Sequence, residues 1–334
     1  MKNLKKLLPV VISIMIALLF LAGCGQKEAV KGDTIRISIV QPVSHTSLDQ
    51  IRDTIIYELD RSGRNIEIVT KNANGDTSSL QTILQNEKSA GADIVVPIAT
   101  PTAQSAKNVF EGSSIPIIFA AVSDPLAAGL TGEGCENITG VSDNIPPEEI
   151  VKLISHLQPD YKMIGFLYTS SETNSVSTVN DAKAYCDANG IAYKEASIAS
   201  LTELQAAVNT LISAGVDVLY TGTDNNIASA MPTYTDIAYA KGIPIYCGAD
   251  SMVSDGGFAT TGVDYVQLGK QVAEMILKIM DGAKPASLPY ETLHEYAQYV
   301  NLQAAGLLGI TFSDEALEGF AVLVEADGTS HFGQ

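Results

Sequence analysis

Short, uninterrupted apolar runs alternate along this chain with longer segments whose apolar residues recur at helical spacing. Parallel strands covered on both faces read as continuous apolar runs, whereas an amphipathic helix repeats its apolar residues every three or four positions. The helical pattern is clear from Leu48 to Arg61, from Leu80 to Ala90 before Gly91, and from Tyr265 to Met280. The runs predicted as strands are Ile35 to Val40, Ile66 to Thr70, Asp93 to Ile98, Pro116 to Ala121, Met163 to Tyr168, Ala192 to Glu195, Val216 to Tyr220 and Pro244 to Cys247. This alternation predicts a doubly wound α/β fold.

One part of the pattern occurs twice. The stretch Ser78 to Val96 is echoed by Thr202 to Tyr220 at a separation of 124 positions, and Ile115 to Phe119 is then echoed by Ile243 to Cys247 at a separation of 128. A single match between helix-strand units would mean little, because such units resemble one another. Two matches in the same order at almost the same spacing predict two related Rossmann-like lobes with a cleft between them.

Three segments rich in turn residues are predicted to cross between the lobes: Thr139 to Pro147, Thr260 to Asp264, and a segment near Ala286 to Pro289. Crossings of this kind would act as hinges and would let the helix from Tyr265 to Met280 return to the first lobe. The predicted first lobe comprises residues 33–142 and 262–288, and the second comprises residues 143–261 and 289–334. The run from Ala321 to Glu325 is predicted to form a small terminal hairpin.

The N-terminus has the features of an export signal. Three lysines precede an apolar run from Leu7 to Leu21 that is too short for a comfortable membrane span. The run ends Leu21-Ala22-Gly23-Cys24, which resembles a bacterial lipobox, and this resemblance implies that Cys24 is lipidated. Residues 1–23 are therefore predicted to be a signal peptide, and residues 24–32 a lipidated tether that anchors the protein outside the cytoplasm on the bacterial cell membrane. An uncleaved anchor, or an ordinary signal with a chance cysteine, is the alternative.

The charge of the chain excludes some classes of partner. The 334 residues include 20 basic and 38 acidic side chains, and removal of the three leader lysines leaves a net charge of about −21. Such a charge repels nucleic acids and anionic lipid surfaces, which bind proteins through basic patches. Nucleic acid is therefore excluded as a partner. The cysteines other than Cys24 are Cys135, Cys186 and Cys247, an odd number that allows at most one disulfide and is expected to represent buried thiols.

The sequence carries no catalytic signature. It has no Gly-x-Ser-x-Gly elbow and no phosphate-binding loop, and its four histidines lack metal-ligand spacing. Carboxylates are numerous, so a hydrolase with paired acids stays open, although no motif favours one. We therefore predict no catalytic residue, no metal and no cofactor.

Polar side chains follow the predicted strands at their carboxyl ends. Open parallel sheets bind ligands at that edge, where helix N-termini present free N–H groups. In the first lobe these side chains are mostly hydroxyls and amides, namely Gln41, His45, Thr100, Thr102, Ser123 and Asp124. In the second lobe they are Asn174, Ser175, Thr223, Asp224, Asn225, Asp250 and Ser251, of which Asp224 and Asp250 are carboxylates. We predict that both groups bind a ligand in the cleft.

The internal repeat gives this cleft a predicted chemistry. It sets Thr100 opposite Asp224 and Val122 opposite Asp250, so that hydroxyl or N–H donors of one lobe face acids of the other. An α-amino acid, with its carboxylate and its ammonium group, is the simplest ligand that satisfies both. The alternative is that Asp224 and Asp250 only cap the helices that follow them. Aromatic residues adjoin several strand ends, and a role in the core is the default for each of them: Phe119, Tyr168, Tyr220, Tyr246 and Tyr265.

Several segments resemble one known family over nearly the whole chain after the leader. They are Asn72 to Asp76, Ile98 to Gln104, Phe119 to Pro125, Asn137 to Asp143, Thr223 to Asn225 and Tyr265 to Gly269. These segments are similar to the substrate-binding lipoproteins of ABC importers in the tryptophan/tyrosine-transport group. The resemblance implies the type I periplasmic-binding fold, with a small ligand such as tryptophan or tyrosine enclosed between lobes hinged by three strands. It also implies delivery of that ligand to a membrane permease with its ATPase. A ligand sensor, a sugar- or nucleoside-binding protein and an extracytoplasmic enzyme of similar fold remain the alternatives.

Overall fold

The structure is a computed structural model that describes residues 34–332. The predictions for the signal peptide, for Cys24 and for the tether fall outside these residues. Within them, no helix has both the length and the apolarity needed to cross a membrane.

The first lobe is built on a parallel sheet. Its strands are β1 (Ile35–Gln41), β2 (Ile66–Asn72), β3 (Ile94–Pro97), β4 (Ile117–Ala120), β5 (Ile138–Ser142) and β11 (Glu291–Thr292). Its helices are α1 (Thr46–Arg61), α2 (Leu80–Ser89), α3 (Thr100–Val109) and α10 (Tyr265–Met280). The strands lie in the order β11-β5-β4-β3-β1-β2, and every neighbouring pair is parallel.

The second lobe is built on a larger, mixed sheet. Its strands are β6 (Met163–Thr169), β7 (Ala192–Ile198), β8 (Val218–Thr221), β9 (Ile245–Cys247), β10 (Ala259–Gly262), β12 (Ala297–Asn301) and β13 (Phe320–Val324). Its helices are α4 (Pro147–Leu157), α5 (Thr173–Asn189), α6 (Leu204–Ser213), α7 (Asn225–Ala228), α8 (Met231–Tyr239), α9 (Asp250–Ser254) and α11 (Leu302–Leu307). The order is β13-β12-β10-β9-β8-β6-β7, and β10 and β12 form the antiparallel pair.

The sequence repeat corresponds to equivalent elements of the two lobes. Helices α2 and α6 begin and end 124 residues apart, and so do strands β3 and β8. Strands β4 and β9 begin 128 residues apart, as the second echo requires. The predicted α/β fold with two doubly wound lobes is confirmed.

The chain crosses between the sheets after β5, after β10 and after β11. The first two crossings fall within the predicted segments, but the third does not lie near Ala286 to Pro289. Residues Pro285–Ser287 form a short 3-10 turn, and Glu291 then pairs with Val141 of β5, so the crossing covers residues 293–296. Strand β11 has only two residues and no buried apolar side chain, and the hydrophobic pattern therefore contains no signal for it.

Helix α10 carries the chain from the second sheet back to the first lobe. Its Gly269 faces α1, where an added Cβ would lie 2.7 Å from the Cβ of Thr54. The absence of a side chain lets the two helices approach closely over the apolar face of α1, in which Leu48, Ile51 and Ile55 are buried. This packing fixes the N-terminal ends of both helices beside the cleft.

The C-terminal tail belongs to the second sheet. Strand β13 pairs in parallel with β12, after which the chain turns at Gly328 and forms an antiparallel bridge between Val324 and Ser330. The predicted terminal hairpin is therefore a single bridge beside a strand at the edge of the sheet.

Candidate ligand-binding cleft

A cavity lies between the two lobes at the carboxyl ends of their strands. About 370 Å³ of space, open solvent included, lies among its lining residues. The first lobe, including α10, contributes the lining residues His45, Ser47, Leu48, Ala121, Ser123 and Tyr265. The first crossing contributes Asp143. From the second lobe they are Asn174, Thr223, Asp224, Asn225, Ala228, Ala249, Ser251 and Met252.

Direct hydrogen bonds join the lobes around this cavity. The hydroxyls of Ser123 and Thr223 lie 2.9 Å apart, and His45 Nε2 lies 3.4 Å from Asn225 Oδ1. Further contacts between the lobes join Ser47 to Ser251, Gln104 to Thr173 and Asp124 to Ser177. The structure therefore represents a closed arrangement of the lobes.

Asp143 presents a buried carboxylate to the cavity. Its residue is only 3% exposed, and it accepts hydrogen bonds from the Ser123 hydroxyl (2.9 Å) and from the Tyr265 hydroxyl (3.2 Å). Both donors are neutral, and burial raises the pKa of the Asp143 carboxyl above its usual value. A carboxylate removed from water in this way is stabilised most by a cation that enters the cavity.

Asp224 also lines the cavity, but its oxygens are bound within the second lobe. Oδ1 accepts hydrogen bonds from the Thr169 hydroxyl and from the Ile227 backbone N–H, both at 2.9 Å, and Oδ2 accepts the Thr169 backbone N–H at 2.6 Å. Asp224 is thus the N-cap of α7. This geometry matches the alternative in which the aspartate caps the following helix.

Asp250 is not among the residues that line the cavity. Its Oδ1 accepts the backbone N–H of Ser251 at 2.7 Å. Burial, with a smaller contribution from the charge of Asp264, raises the pKa of the Asp250 carboxyl to about 7. The neighbouring Ser251 lines the cavity and bonds to Ser47 of the first lobe.

The remaining predicted residues divide into two groups. The cavity brings together His45, Ser123, Asn174, Thr223, Asn225 and Ser251. Four others lie outside it: Gln41, which bonds to Asp49, and the buried Thr100, Thr102 and Ser175. Asp124 lies in a neighbouring polar pocket with Ser177 and Asp181.

The sequence reasoning missed two acids of this region. Asp143 was included in a predicted crossing, and its burial depends on Ser123 and Tyr265, which are distant in sequence. The second is Glu172, in the loop between β6 and α5, which accepts hydrogen bonds from the side chains and backbone of the α7 N-terminus. Burial and the nearby charge of Asp224 raise the pKa of Glu172 to about 8, against the opposing effect of these donors. The sequence signal that could have identified Glu172 is its position as a carboxylate in a loop that follows a strand.

Strained backbone marks the first-lobe side of the cavity. Ala99 (φ 68°) and Ala121 (φ 55°) adopt left-handed conformations that side chains other than glycine rarely take, and both follow strands of the first sheet. The Ala121 N–H donates to the Val141 carbonyl at 2.9 Å, which holds the turn in place. Strain of this kind persists where surrounding structure fixes it, and Ala121 lines the cavity.

The N-terminus of α1 offers donors for an anion. Ser47 and Leu48 lie in its first turn and line the cavity, and the N–H groups of a first turn have no partner within the helix. The N-cap residue, His45, makes no side-chain capping bond. Together with the positive end of the helix dipole, these N–H groups favour a negatively charged ligand group.

The cavity also has an apolar wall, formed by Leu48, Ala121, Ala228, Ala249 and Met252. Such a wall fits an uncharged side chain. Among residues 34–332, no group of three or more His, Cys, Asp or Glu side chains is arranged to hold a metal ion.

Comparison with known proteins places this architecture in a family. Residues 36–325 match the family described as ABC transporter substrate binding protein. The chain is 33% identical over 315 residues to a protein named tyrosine-binding protein from Clostridioides difficile (strain R20291), covering 89% of this chain and 90% of that protein.

Two solved structures are similar to this chain over most of its length. An ABC domain from Streptococcus pneumonia in complex with L-Trp superposes with a TM-score of 0.81 at 35% identity, covering 87% of this chain and 99% of that one. The ligand-free, open structure of a substrate-binding protein with adhesive properties from Clostridium difficile gives 0.65 at 33% identity, with 86% and 99% covered. At nearly equal identity and coverage, the structure described here superposes better on the L-Trp complex than on the ligand-free, open structure. The type I periplasmic-binding fold is confirmed, and the chain belongs to the family of ABC transporter substrate-binding proteins.

Proposed function

We propose that this protein is the extracytoplasmic solute-binding component of an ABC importer and that its lobes close over an amino acid with an aromatic side chain. The observation that carries the proposal is the buried Asp143 carboxylate, which lines the cavity with only neutral donors among its described partners. The names of the relatives, one tyrosine-binding and one in complex with L-Trp, support the ligand class.

The ammonium group of the ligand is assigned to Asp143. An ion pair in a desolvated cavity requires that each charge has a partner, and the closed lobes remove water from this carboxylate. Asp224 and Asp250 are less suited, because the first is bonded three times within its own lobe and the second lies outside the cavity.

The carboxylate of the ligand is assigned to the first turn of α1. The N–H groups of Ser47 and Leu48 are available there, and the Ser47 hydroxyl is paired with that of Ser251 from the other lobe. One lobe therefore supplies the anion site, the crossing supplies the acid, and the second lobe completes the enclosure. A ligand that contacts all three binds the closed arrangement better than the open one and shifts the population toward it.

The family supports a proposed destination for the ligand. Substrate-binding proteins of ABC transporters act outside the cytoplasm and pass their cargo to a permease with its ATPase. Lipidation at Cys24 would hold this protein near that permease. A ligand sensor would use the same closure, and loss of amino-acid uptake after deletion of the gene separates the importer from the sensor.

A thermal-shift and calorimetric screen of the purified protein tests the ligand class. A ligand present at about 100 times its Kd stabilises the protein by about 2.7 kcal/mol, so a true ligand produces a clear rise in Tm. We expect L-tyrosine or L-tryptophan to raise Tm, and the tyrosine analogues that lack either the amino group or the carboxylate to have no effect. A rise with a sugar or nucleoside, and none with any amino acid, would overturn the proposal. Mass spectrometry of the incubated ligand checks that it is released unchanged, against the enzyme alternative.

A further inference from the structure

Two buried hydrogen-bond acceptors, on residues that line the cavity, have no partner among residues 34–332. They are Oδ1 of Asn174, a residue only 3% exposed, and Nδ1 of His45. Both residues line the cavity between the lobes. Buried polar atoms of folded proteins nearly always have hydrogen-bond partners, so two such atoms in a ligand cavity indicate what the ligand must supply.

The neighbouring hydrogen bonds fix which atom of each side chain is the acceptor. Asn225 donates its side-chain N–H to Glu172 Oε2 at 2.6 Å, so Asn225 Oδ1 is an acceptor and His45 Nε2, 3.4 Å from it, carries the proton. Burial lowers the pKa of His45, which keeps the ring neutral. His45 Nδ1 therefore presents a lone pair.

The same network fixes the amide of Asn174. Its side-chain nitrogen donates to the Thr223 carbonyl at 2.7 Å and lies 3.3 Å from Glu172 Oε2. A backbone carbonyl can only accept, so the contact with Thr223 shows that the nitrogen is correctly placed and that Oδ1 is left as the acceptor. Glu172 thus holds both asparagine amides in the orientation that leaves these lone pairs to the cavity.

We propose that His45 and Asn174 select an amino acid whose side chain carries an N–H or O–H donor, with Glu172 as the positioning residue that orients the acceptors. This inference rests on the proposed function. The carboxylate of the ligand has no proton to donate, and the ammonium group, although it has three N–H donors, is assigned to Asp143. We therefore assign the donor for the two neutral acceptors to the side chain of the ligand, and equal binding of phenylalanine would instead assign it to the ammonium group. A site built to hydrogen-bond such a group rejects an analogue that lacks it, because the acceptors are then buried unpaired.

Calorimetry with three probes measures this selection: L-tyrosine, L-tryptophan and L-phenylalanine. We expect phenylalanine to bind at least tenfold more weakly than the better of the other two. Asn174→Leu, which removes the acceptor at similar size, should weaken that better ligand at least tenfold while phenylalanine changes little, so that the ratio of the two Kd values collapses. Asn189→Leu is the matched control, because Asn189 lies on the same helix, is exposed and donates its side-chain N–H to the Tyr185 carbonyl, away from the cavity residues. It should leave the ratio unchanged.

Glu172→Gln tests the positioning role. Glutamine replaces one carboxylate oxygen by an N–H group, which opposes the N–H donors of Asn225 and Asn226 that Glu172 accepts. The Asn225 amide is then no longer held, so the ratio of phenylalanine to tyrosine or tryptophan Kd should fall. A purely structural role would weaken all three probes equally and leave the ratio intact.

The outcomes separate this inference from the proposed function. Equal binding of all three probes to the unmodified protein would overturn the inference and leave the proposed function standing. A ratio that survives both Asn174→Leu and His45→Phe would also overturn the inference. Failure of every amino acid to bind would overturn the proposed function, and this inference with it.

Discussion

Substitution of Asp143 by asparagine removes the charge on which the proposed ligand site depends. Asparagine has nearly the same size and can still accept one hydrogen bond from Ser123 or Tyr265, whose hydroxyl can rotate to accept the new N–H. The cavity should therefore keep its shape. Burial raises the pKa of Asp143, so the charged form is disfavoured in the folded protein, and its removal should not lower the Tm of the ligand-free protein.

The expected loss of affinity follows from the burial of the charge. Truncation of one partner of a buried charge pair costs about 2–5 kcal/mol. A change of about 1.4 kcal/mol is tenfold in an equilibrium constant, so the Kd for the amino acid should rise by a factor of about 30 to several thousand. The des-amino analogue has no ammonium group, and its weak binding should be the same for the two proteins.

Titration calorimetry with the tightest-binding amino acid measures this change. Asp181→Asn is the matched control, since it makes the same charge change at an exposed residue in the pocket next to the cavity. We expect Asp181→Asn to bind within a few-fold of the unmodified protein. An unchanged Kd for Asp143→Asn, with the fold intact by Tm, would refute the assignment of the ammonium group to Asp143.

Three further predictions concern pH and closure. The ion pair requires the charged form of Asp143, and burial raises the pKa of this carboxyl. Ligand affinity should therefore fall as pH is lowered through that pKa. Calorimetry at several pH values should show a steeper dependence of Kd on pH for the unmodified protein than for Asp143→Asn. The folded-state pKa values of Glu172 (about 8) and Asp250 (about 7) lie above the ordinary values of 4.5 and 3.8, so the folded protein holds more protons than the unfolded chain between these limits. The free energy of unfolding without ligand should therefore decrease from pH 5 to pH 8.5 in denaturant titrations, and an increase would contradict these shifts. Finally, Ser47 and Ser251 are hydrogen-bonded across the closed lobes, so a variant with cysteine at both positions should form a disulfide under oxidation. In stopped-flow measurements this disulfide should slow ligand exchange at least tenfold, and reduction should restore the original rate. Unchanged exchange in the crosslinked protein would contradict closure at this contact.

The fold was largely predictable because its signals are local. Apolar periodicity located α1, and the repeat located α2, α6, β3 and β8 in both lobes. The position of the third crossing was not predictable. It follows β11, a two-residue polar strand that pairs through its backbone with β5, about 150 residues earlier, and leaves no pattern in side-chain hydropathy.

The position of the cavity was predictable, but the hydrogen bonds of each acid were not. The strand-end rule found Ser123, Asn174, Thr223 and Asn225, which line the cavity. An aspartate after a strand serves equally well as a helix cap or a ligand contact, and only the bonds of Asp224 to Thr169 and Ile227 distinguish the two. The burial of Asp143 and Glu172 depends on residues far away in sequence, which no local pattern records.

A crystal structure of the protein with its tightest-binding amino acid tests the central claim most directly. The account predicts that the α-nitrogen of the ligand lies within about 3 Å of a carboxylate oxygen of Asp143, with the ligand carboxylate at the first turn of α1. An α-nitrogen bound instead by Asp224 or Asp250, with Asp143 still bonded only to Ser123 and Tyr265, would contradict it.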